Sequence, residues 1–224
     1  MRGAGNLPER LKTARNRKAS STRWLTRQLA DPYVRQAKAE GWRSRAAFKL
    51  LELDEKFGLL KRTERVVDLG IAPGGWSQVV RKRAPGAVVV GIDLLPTEPI
   101  EGVIIFELDF MADKAPAALI EALGGQPDLV VSDMAANTVG HKQTDHLRTM
   151  GLVETAADFA IEHLAVGGAF VAKVLAGGTD AALLILLKRH FSQVKHAKPP
   201  SSRKDSSEWY VIAQGFKGKD KSVS

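Results

Sequence analysis

Val66-Val67-Asp68-Leu69-Gly70-Ile71-Ala72-Pro73-Gly74-Gly75-Trp76-Ser77-Gln78 joins a strand to a helix through a glycine-rich loop, and the architecture follows from it. A short apolar run breaks at a loop of three glycines and a proline, and helix-compatible residues follow. Gly70, Gly74 and Gly75 can take positive φ and let a ligand approach the backbone, Pro73 stiffens the bend, and the start of the next helix offers unpaired N–H groups. A plain strand-to-helix turn needs less punctuation, so the loop reads as a cofactor cradle. Gly70 and Gly74 are separated by three residues, unlike the dinucleotide GxGxxG, which counts against a nicotinamide cofactor. No lysine followed by serine or threonine closes the loop, so it is not a Walker A phosphate loop.

Outward from the loop the chain alternates. Strands are expected at Arg65–Leu69, Ala87–Asp93, Val103–Leu108, Leu129–Ser132 and Ala169–Val174, with helices from Trp76 to about Arg83, over Ala115–Leu123, before Gly167-Gly168, and from Gly177-Gly178 to near Phe191. In the long helix before Gly167, Met150, Val153, Ala157, Ile161 and Leu164 recur at three- and four-residue steps, so one face is buried. Two further strands are expected around Gln193–Ala197 and Glu208–Ala213. This alternation predicts an α/β fold, a mostly parallel seven-stranded sheet with helices on both faces. Upstream, Asp31-Pro32 reads as an N-cap with proline at N1 of a short helix ended by Gly41, and Ser44 as the cap of a helix through about Phe57.

Ligands of such sheets bind beyond the carboxyl ends of the strands, so the polar residues there are informative. Asp68, Asp93, Asp109 and Asp133 end the first four strands, and Lys173 lies in the fifth. Asp93 stands where an acidic side chain can accept hydrogen bonds from both hydroxyls of a ribose. Asp109 is either an adenine contact or an ordinary loop carboxylate. Lys173 interrupts an apolar inner strand, where burying an ammonium is costly unless carboxylates meet it, and Asp133 is its natural partner. The pair is either structural or catalytic. Lys49 alone reads as a snorkelling helix lysine, and Glu208 alone as an exposed strand end.

With 224 residues and 44% hydrophobic content, the chain can bury one sizeable core. It has no cysteine, its five histidines lack metal-ligand spacing, and no metal is expected. No apolar run is long enough to span a bilayer and no hydrophobic signal core is seen, so a cytoplasmic protein without membrane contact is expected. A net charge of +8 implies a polyanionic partner. Residues 1–23 carry Arg2, Arg10, Lys12, Arg15, Arg17, Lys18 and Arg23 against Glu9 alone and read as a disordered RNA-binding arm; 24–216 form the single domain and 217–224 a frayed basic tail. Trp42, Arg43 and Arg45, near Arg35 and Lys38, mix an aromatic with cations as RNA surfaces do.

The stretch Ser44-Arg45-Ala46-Ala47-Phe48-Lys49-Leu50, the glycine loop, Ser132-Asp133-Met134-Ala135, Val171-Ala172-Lys173 and the Ser/Arg-rich loop before Glu208 together resemble the FtsJ/RrmJ (RlmE) family of ribosomal RNA 2′-O-ribose methyltransferases. The likeness runs from about Ser44 to Gly215. It implies a Rossmann-like class I methyltransferase fold that uses S-adenosylmethionine, a Lys-Asp-Lys-Glu tetrad at Lys49, Asp133, Lys173 and Glu208, and a cofactor site lined by Gly74, Trp76, Asp93, Asp109 and Asp133. It also implies a monomer acting on a uridine of 23S ribosomal RNA within the large ribosomal subunit, late in assembly. Ile71 stands where the family usually has alanine, Ala136 where proline is common, and Leu175-Ala176 in place of an aromatic-glutamine pair.

In such a site Lys173 contacts the 2′-oxygen, orienting its lone pair or taking its proton. Two carboxylates favour the ammonium, burial and Lys49 the neutral amine, and the residues leave both roles open. A related 2′-O-methyltransferase of transfer RNA or an mRNA cap, and a non-catalytic RNA-binding assembly factor, are the competing readings.

Overall fold

The computed structural model describes residues 31–136, 142–175 and 181–219, without the side chains of 142, 143 and 145. The basic arm expected over 1–23, Ala176 and most of the tail lie outside the described residues. The helices are α1 (Pro32–Ala39), α2 (Ala46–Phe57), α3 (Gly75–Arg83), α4 (Ala115–Leu123), α5 (Lys142–His163) and α6 (Ala181–His190). The strands are β1 (Arg65–Leu69), β2 (Val88–Asp93), β3 (Val103–Glu107), β4 (Leu129–Ser132), β5 (Ala169–Leu175), β6 (Phe191–Ala197) and β7 (Glu208–Phe216).

All seven strands join one sheet in the order β3-β2-β1-β4-β5-β7-β6. β1 pairs in parallel with both β2 and β4, so the strand order reverses at β1, where the glycine loop leaves the sheet. β7 inserts antiparallel between β5 and β6. β6 and β7 are longer than their side-chain patterns predict, because pairing of Phe191 with Phe216 and Gln193 with Gln214 carries the ladder past the residues that alternate clearly.

The pleat sorts the sheet's side chains into two cores. Val67, Leu69, Val130, Phe170, Ala172, Val174, Val211 and Ala213 meet α4, α5 and α6. Val66, Val131, Val171, Tyr210 and Ile212 meet α1, α2 and α3. Successive strand residues point to opposite faces, so Lys173 and Glu208 fall on the second face, beneath α2. Among the described residues no helix is long and apolar enough to cross a membrane, and no group of three or more His, Cys, Asp or Glu could hold a metal ion.

α1 starts as expected, with the Asp31 carboxylate accepting Tyr33 N–H at 3.0 Å and Pro32 at the first helical position. α2 differs. It begins at Ala46, Arg45 is already in right-handed helical conformation, and no side chain caps it. The Ser44 carbonyl instead accepts Ala47 N–H at 3.2 Å, and its hydroxyl packs where a Cβ on Gly75 would stand, 2.6 Å away. Ser44 therefore supports the close approach of α2 and α3 rather than capping α2.

Candidate active site

Four elements bring the tetrad side chains together. Lys49 comes from the buried face of α2, Asp133 from the residue after β4, Lys173 from β5 and Glu208 from the first position of β7. Asp133 is placed by its own N–H, which donates to Leu69 O at 3.2 Å and prolongs the β1–β4 ladder to the edge of the glycine loop. Lys173 Nζ lies 3.1 Å from Asp133 Oδ1 and donates to the Asp133 carbonyl at 2.6 Å. Lys49 Nζ donates to Glu208 Oε2 at 3.2 Å. Both ammonium groups are almost wholly buried, at 8% and 9% side-chain exposure, whereas Glu208 is 34% exposed and opens to solvent.

Tyr210 joins the two pairs. Its hydroxyl donates to Asp133 Oδ1 at 2.9 Å, and Lys49 Nζ sits 5.6 Å from its ring centre. Burial, then the charges of Asp133 and Glu208, push its phenol well above the ordinary value, so it stays a donor. This residue was missed in the sequence, although a signal was present: Tyr210 is two positions beyond Glu208 on a strand, hence on the same face, and a fully buried tyrosine hydroxyl seeks a partner. Burial raises the Asp133 carboxyl, but Lys173, then Lys49, and the bonds from Tyr210 and Lys173 outweigh it and hold it below the usual carboxylate value.

Two clefts meet at this cluster. One, of about 240 Å³, is walled by Gly70, Ala72, Asp93, Asp109, Asp133 and the apolar Leu94, Leu108, Phe110, Met134 and Leu152 among others. Gly70 has φ +81°, and a Cβ there would come within 2.7 Å of Met134 Cγ and 2.9 Å of its backbone nitrogen. Only glycine therefore lets the loop lie flush against the residue following Asp133. The Asp93 carboxylate accepts Ala72 N–H and Leu95 N–H, both at 2.9 Å, which fixes it at the mouth of the loop. Asp109 is exposed and accepts Met111 N–H at 2.9 Å. The other cleft, of about 370 Å³, is lined by Arg45, Lys49, Arg203, Asp205, Ser206, Ser207 and Glu208.

Gly74 and Trp76 are not among the walls of the smaller cleft. Gly74 precedes α3 with φ +106°, closed in by Ile100 and Arg43. Trp76 is 3% exposed, donates its indole N–H to Ala46 O at 2.8 Å and packs against Tyr210, so its side chain joins α2 to the sheet. Trp42, Arg43 and Arg45 likewise turn inward. Trp42 is buried, Arg43 donates to the carbonyls of Pro73, Glu98 and Pro99, and Arg45 binds Asp31 and Ser201.

The family model of FtsJ-like methyltransferases matches residues 42–216, which contain every residue of the tetrad and both clefts. The chain belongs to the FtsJ-like methyltransferase family. It is 80% identical over 96% of each chain to the ribosomal RNA large subunit methyltransferase E of Novosphingobium aromaticivorans. Against the protein of the same name from Sphingopyxis alaskensis it is 75% identical, over 97% of this chain and 94% of that one. A crystal structure described as a ribosomal RNA methyltransferase of Plasmodium falciparum superimposes with a TM-score of 0.70 at 31% identity, covering 80% of this chain and 100% of that one. A fibrillarin/Nop5p complex chain shares the fold alone, with a TM-score of 0.52 at 18% identity over 78% of this chain and 85% of that one. The smaller cleft lies at the point where the strand order reverses, where open α/β sheets generally build ligand sites.

Proposed function

We propose that this enzyme transfers a methyl group from S-adenosylmethionine to the 2′-hydroxyl of a uridine ribose in large-subunit (23S) ribosomal RNA, in the assembling subunit in the cytoplasm, and that it acts as a monomer. The observation that carries the reading is the position of Asp133, which is at once a wall of the smaller cleft and the partner of Lys173. The high identity to proteins named ribosomal RNA large subunit methyltransferase E supports the choice of RNA.

The smaller cleft suits the donor. It combines an apolar wall with three carboxylates, Asp93, Asp109 and Asp133, a mixture that matches an adenosine carrying positive charge at its other end. Asp93 would take the ribose hydroxyls, Asp109 the adenine amino group, and the Gly70 loop would bring backbone close to the ligand. When bound, S-adenosylmethionine supplies a methyl group made electrophilic by its sulfonium.

The chain's own residues then have to hold an acceptor oxygen in line with that methyl, and positioning is the larger part of such catalysis. Lys173 Nζ has two of its directions occupied by the Asp133 carboxylate and carbonyl, which leaves one to meet the 2′-oxygen. Both occupied directions end on acceptors, so Lys173 serves as a donor that fixes the oxygen's free lone pair. Asp133 and Tyr210 set the lysine's direction. Lys49 and Glu208 form the wall toward the larger cleft, where the acceptor strand lies and the hydroxyl proton is lost to water.

The test supplies labelled S-adenosylmethionine with undermethylated large subunits, free ribosomal RNA or transfer RNA and identifies the product nucleoside. 2′-O-methyluridine from the ribosomal substrates is expected. Label in a base overturns the reaction, and label confined to transfer RNA overturns the substrate.

A further inference from the structure

Asp31 carries more than the start of α1. One carboxylate oxygen caps the helix, and the other, Oδ2, receives two guanidinium groups: Arg45 from the residue before α2, and Arg203, whose Nε donates at 2.9 Å while its Nη2 lies equally near without forming a hydrogen bond. Its side chain is 6% exposed. A carboxylate this deeply buried is tolerated only with partners in good geometry, and losing them is costly. Its two partners lie 14 and 172 positions away in sequence.

From this oxygen a continuous chain of bonds reaches the active site. The Arg203 carbonyl accepts Ser206 N–H at 3.0 Å, Ser206 Oγ accepts Glu208 N–H at 3.1 Å, and the Glu208 carboxylate meets Lys49 at 3.2 Å. On the other side Arg45 stands four residues before Lys49, one helical turn away on the same face, and its Nη2 donates to the Ser201 carbonyl. Glu52, on α2, accepts Ser201 N–H and Oγ–H at 2.9 and 2.7 Å through one oxygen. The segment between β6 and β7 has no regular structure. It is the part that delivers Glu208, and its alignment with α2 depends on these side-chain anchors.

We propose that Asp31 is a positioning residue for the methyl transfer: by clasping Arg45 and Arg203 it registers the segment before β7 against α2 and so sets Glu208 on Lys49. This rests on the function proposed above, with Asp31 acting through Glu208 and touching no substrate. Nothing in the local sequence announces it, since an aspartate before a proline reads fully as a helix cap.

Asp31→Ser separates the two duties, because serine still caps a helix while the clasp is lost, and Arg203→Met removes the clasp without touching the cap. Both full-length variants are compared with wild type on undermethylated large subunits, alone and combined with Glu208→Gln. Each is expected to lower kcat on the order of tenfold to a hundredfold, the penalty of ångström-scale misplacement, with KM for S-adenosylmethionine unchanged. In the Glu208→Gln background each is expected to add less than about twofold, as residues acting through one group do. Hydrogen exchange at the amides of Ser201, Ser206 and Glu208 is expected to speed up in both variants. An unchanged kcat, or equal losses in both backgrounds, overturns the proposal. Wild-type turnover tests the earlier reading separately, and unaltered exchange at those amides overturns the clasp whatever the turnover.

Discussion

A lysine in an inner strand has to be met by acceptors, and Lys173 is met twice by the same residue, through side chain and backbone of Asp133. That double contact limits where Nζ can point, and its remaining direction is the one available for chemistry. Lys173→Met is expected to lower kcat by at least about a hundredfold while S-adenosylmethionine affinity, measured by calorimetry, changes by less than about threefold. Asp68 shows the opposite economy. It is 1% exposed, one oxygen accepts Ser77 Oγ–H at 2.7 Å, and the other has no hydrogen-bond partner among the described residues. Burial, only partly offset by Ser77, pushes its carboxyl up to about 7, with Asp133 and Asp93 adding to the rise. Between the ordinary value of roughly 4 and the folded value, the native state therefore holds a proton that the unfolded chain has released, so this group lowers stability as pH rises through that window. Asp68→Asn is expected to remove that loss: urea unfolding should show the variant gaining on wild type from pH 5 to pH 8, and a constant difference would contradict the assignment.

At the scale of elements, the glycine loop works because β2 holds it. Gly70 N–H and Ile71 N–H both donate to Ile92 O, at 2.9 and 3.2 Å, and Ala72 N–H reaches Asp93. Ile71 fills the space above Gly91, where an added Cβ would lie 2.3 Å from its Cδ1 and 2.9 Å from its Cβ. This side chain is thus accommodated by a strand residue with none. Gly91→Ala is expected to cost about 1–3 kcal/mol by overpacking, and Ile71→Ala a few kcal/mol by opening a cavity. Combined, the two should cost clearly less than their sum in a denaturant double-mutant cycle, because each relieves the other's defect. Additive losses would mean that the two side chains do not share this space. Short apolar runs bounded by charged, polar or glycine residues made β1, β4 and α4 legible to the residue, since apolar positions and their punctuation coincide there. It failed at the far ends of β6 and β7, whose last pairs are set by each other rather than by pattern.

Across the whole molecule, charge is distributed by sequence position more than by fold. Residues 1–23 hold seven cations and one anion of a chain whose net charge is +8. Their removal is expected to weaken RNA binding and to flatten the dependence of log affinity on log salt by roughly four to five, with S-adenosylmethionine binding unaffected; an unchanged slope would retire the arm as an RNA contact. Arg43 and Arg45, which the sequence offers as part of an RNA surface, have their guanidinium groups committed to the fold instead. Local composition and periodicity, which need only neighbours in the chain, determined the α/β class, the glycine loop after β1, the Lys173–Asp133 pair and the basic character of residues 1–23. Lys49 and Glu208 carried no signal of their own in the residues, and only resemblance to a family singled them out. The tertiary structure alone decided that Tyr210 bridges the two ion pairs, that Trp76 packs inward and that Asp31 reaches Arg203. Each of these depends on which strands lie side by side and which helix covers them, a pairing that long-range packing selects and that no window of sequence contains.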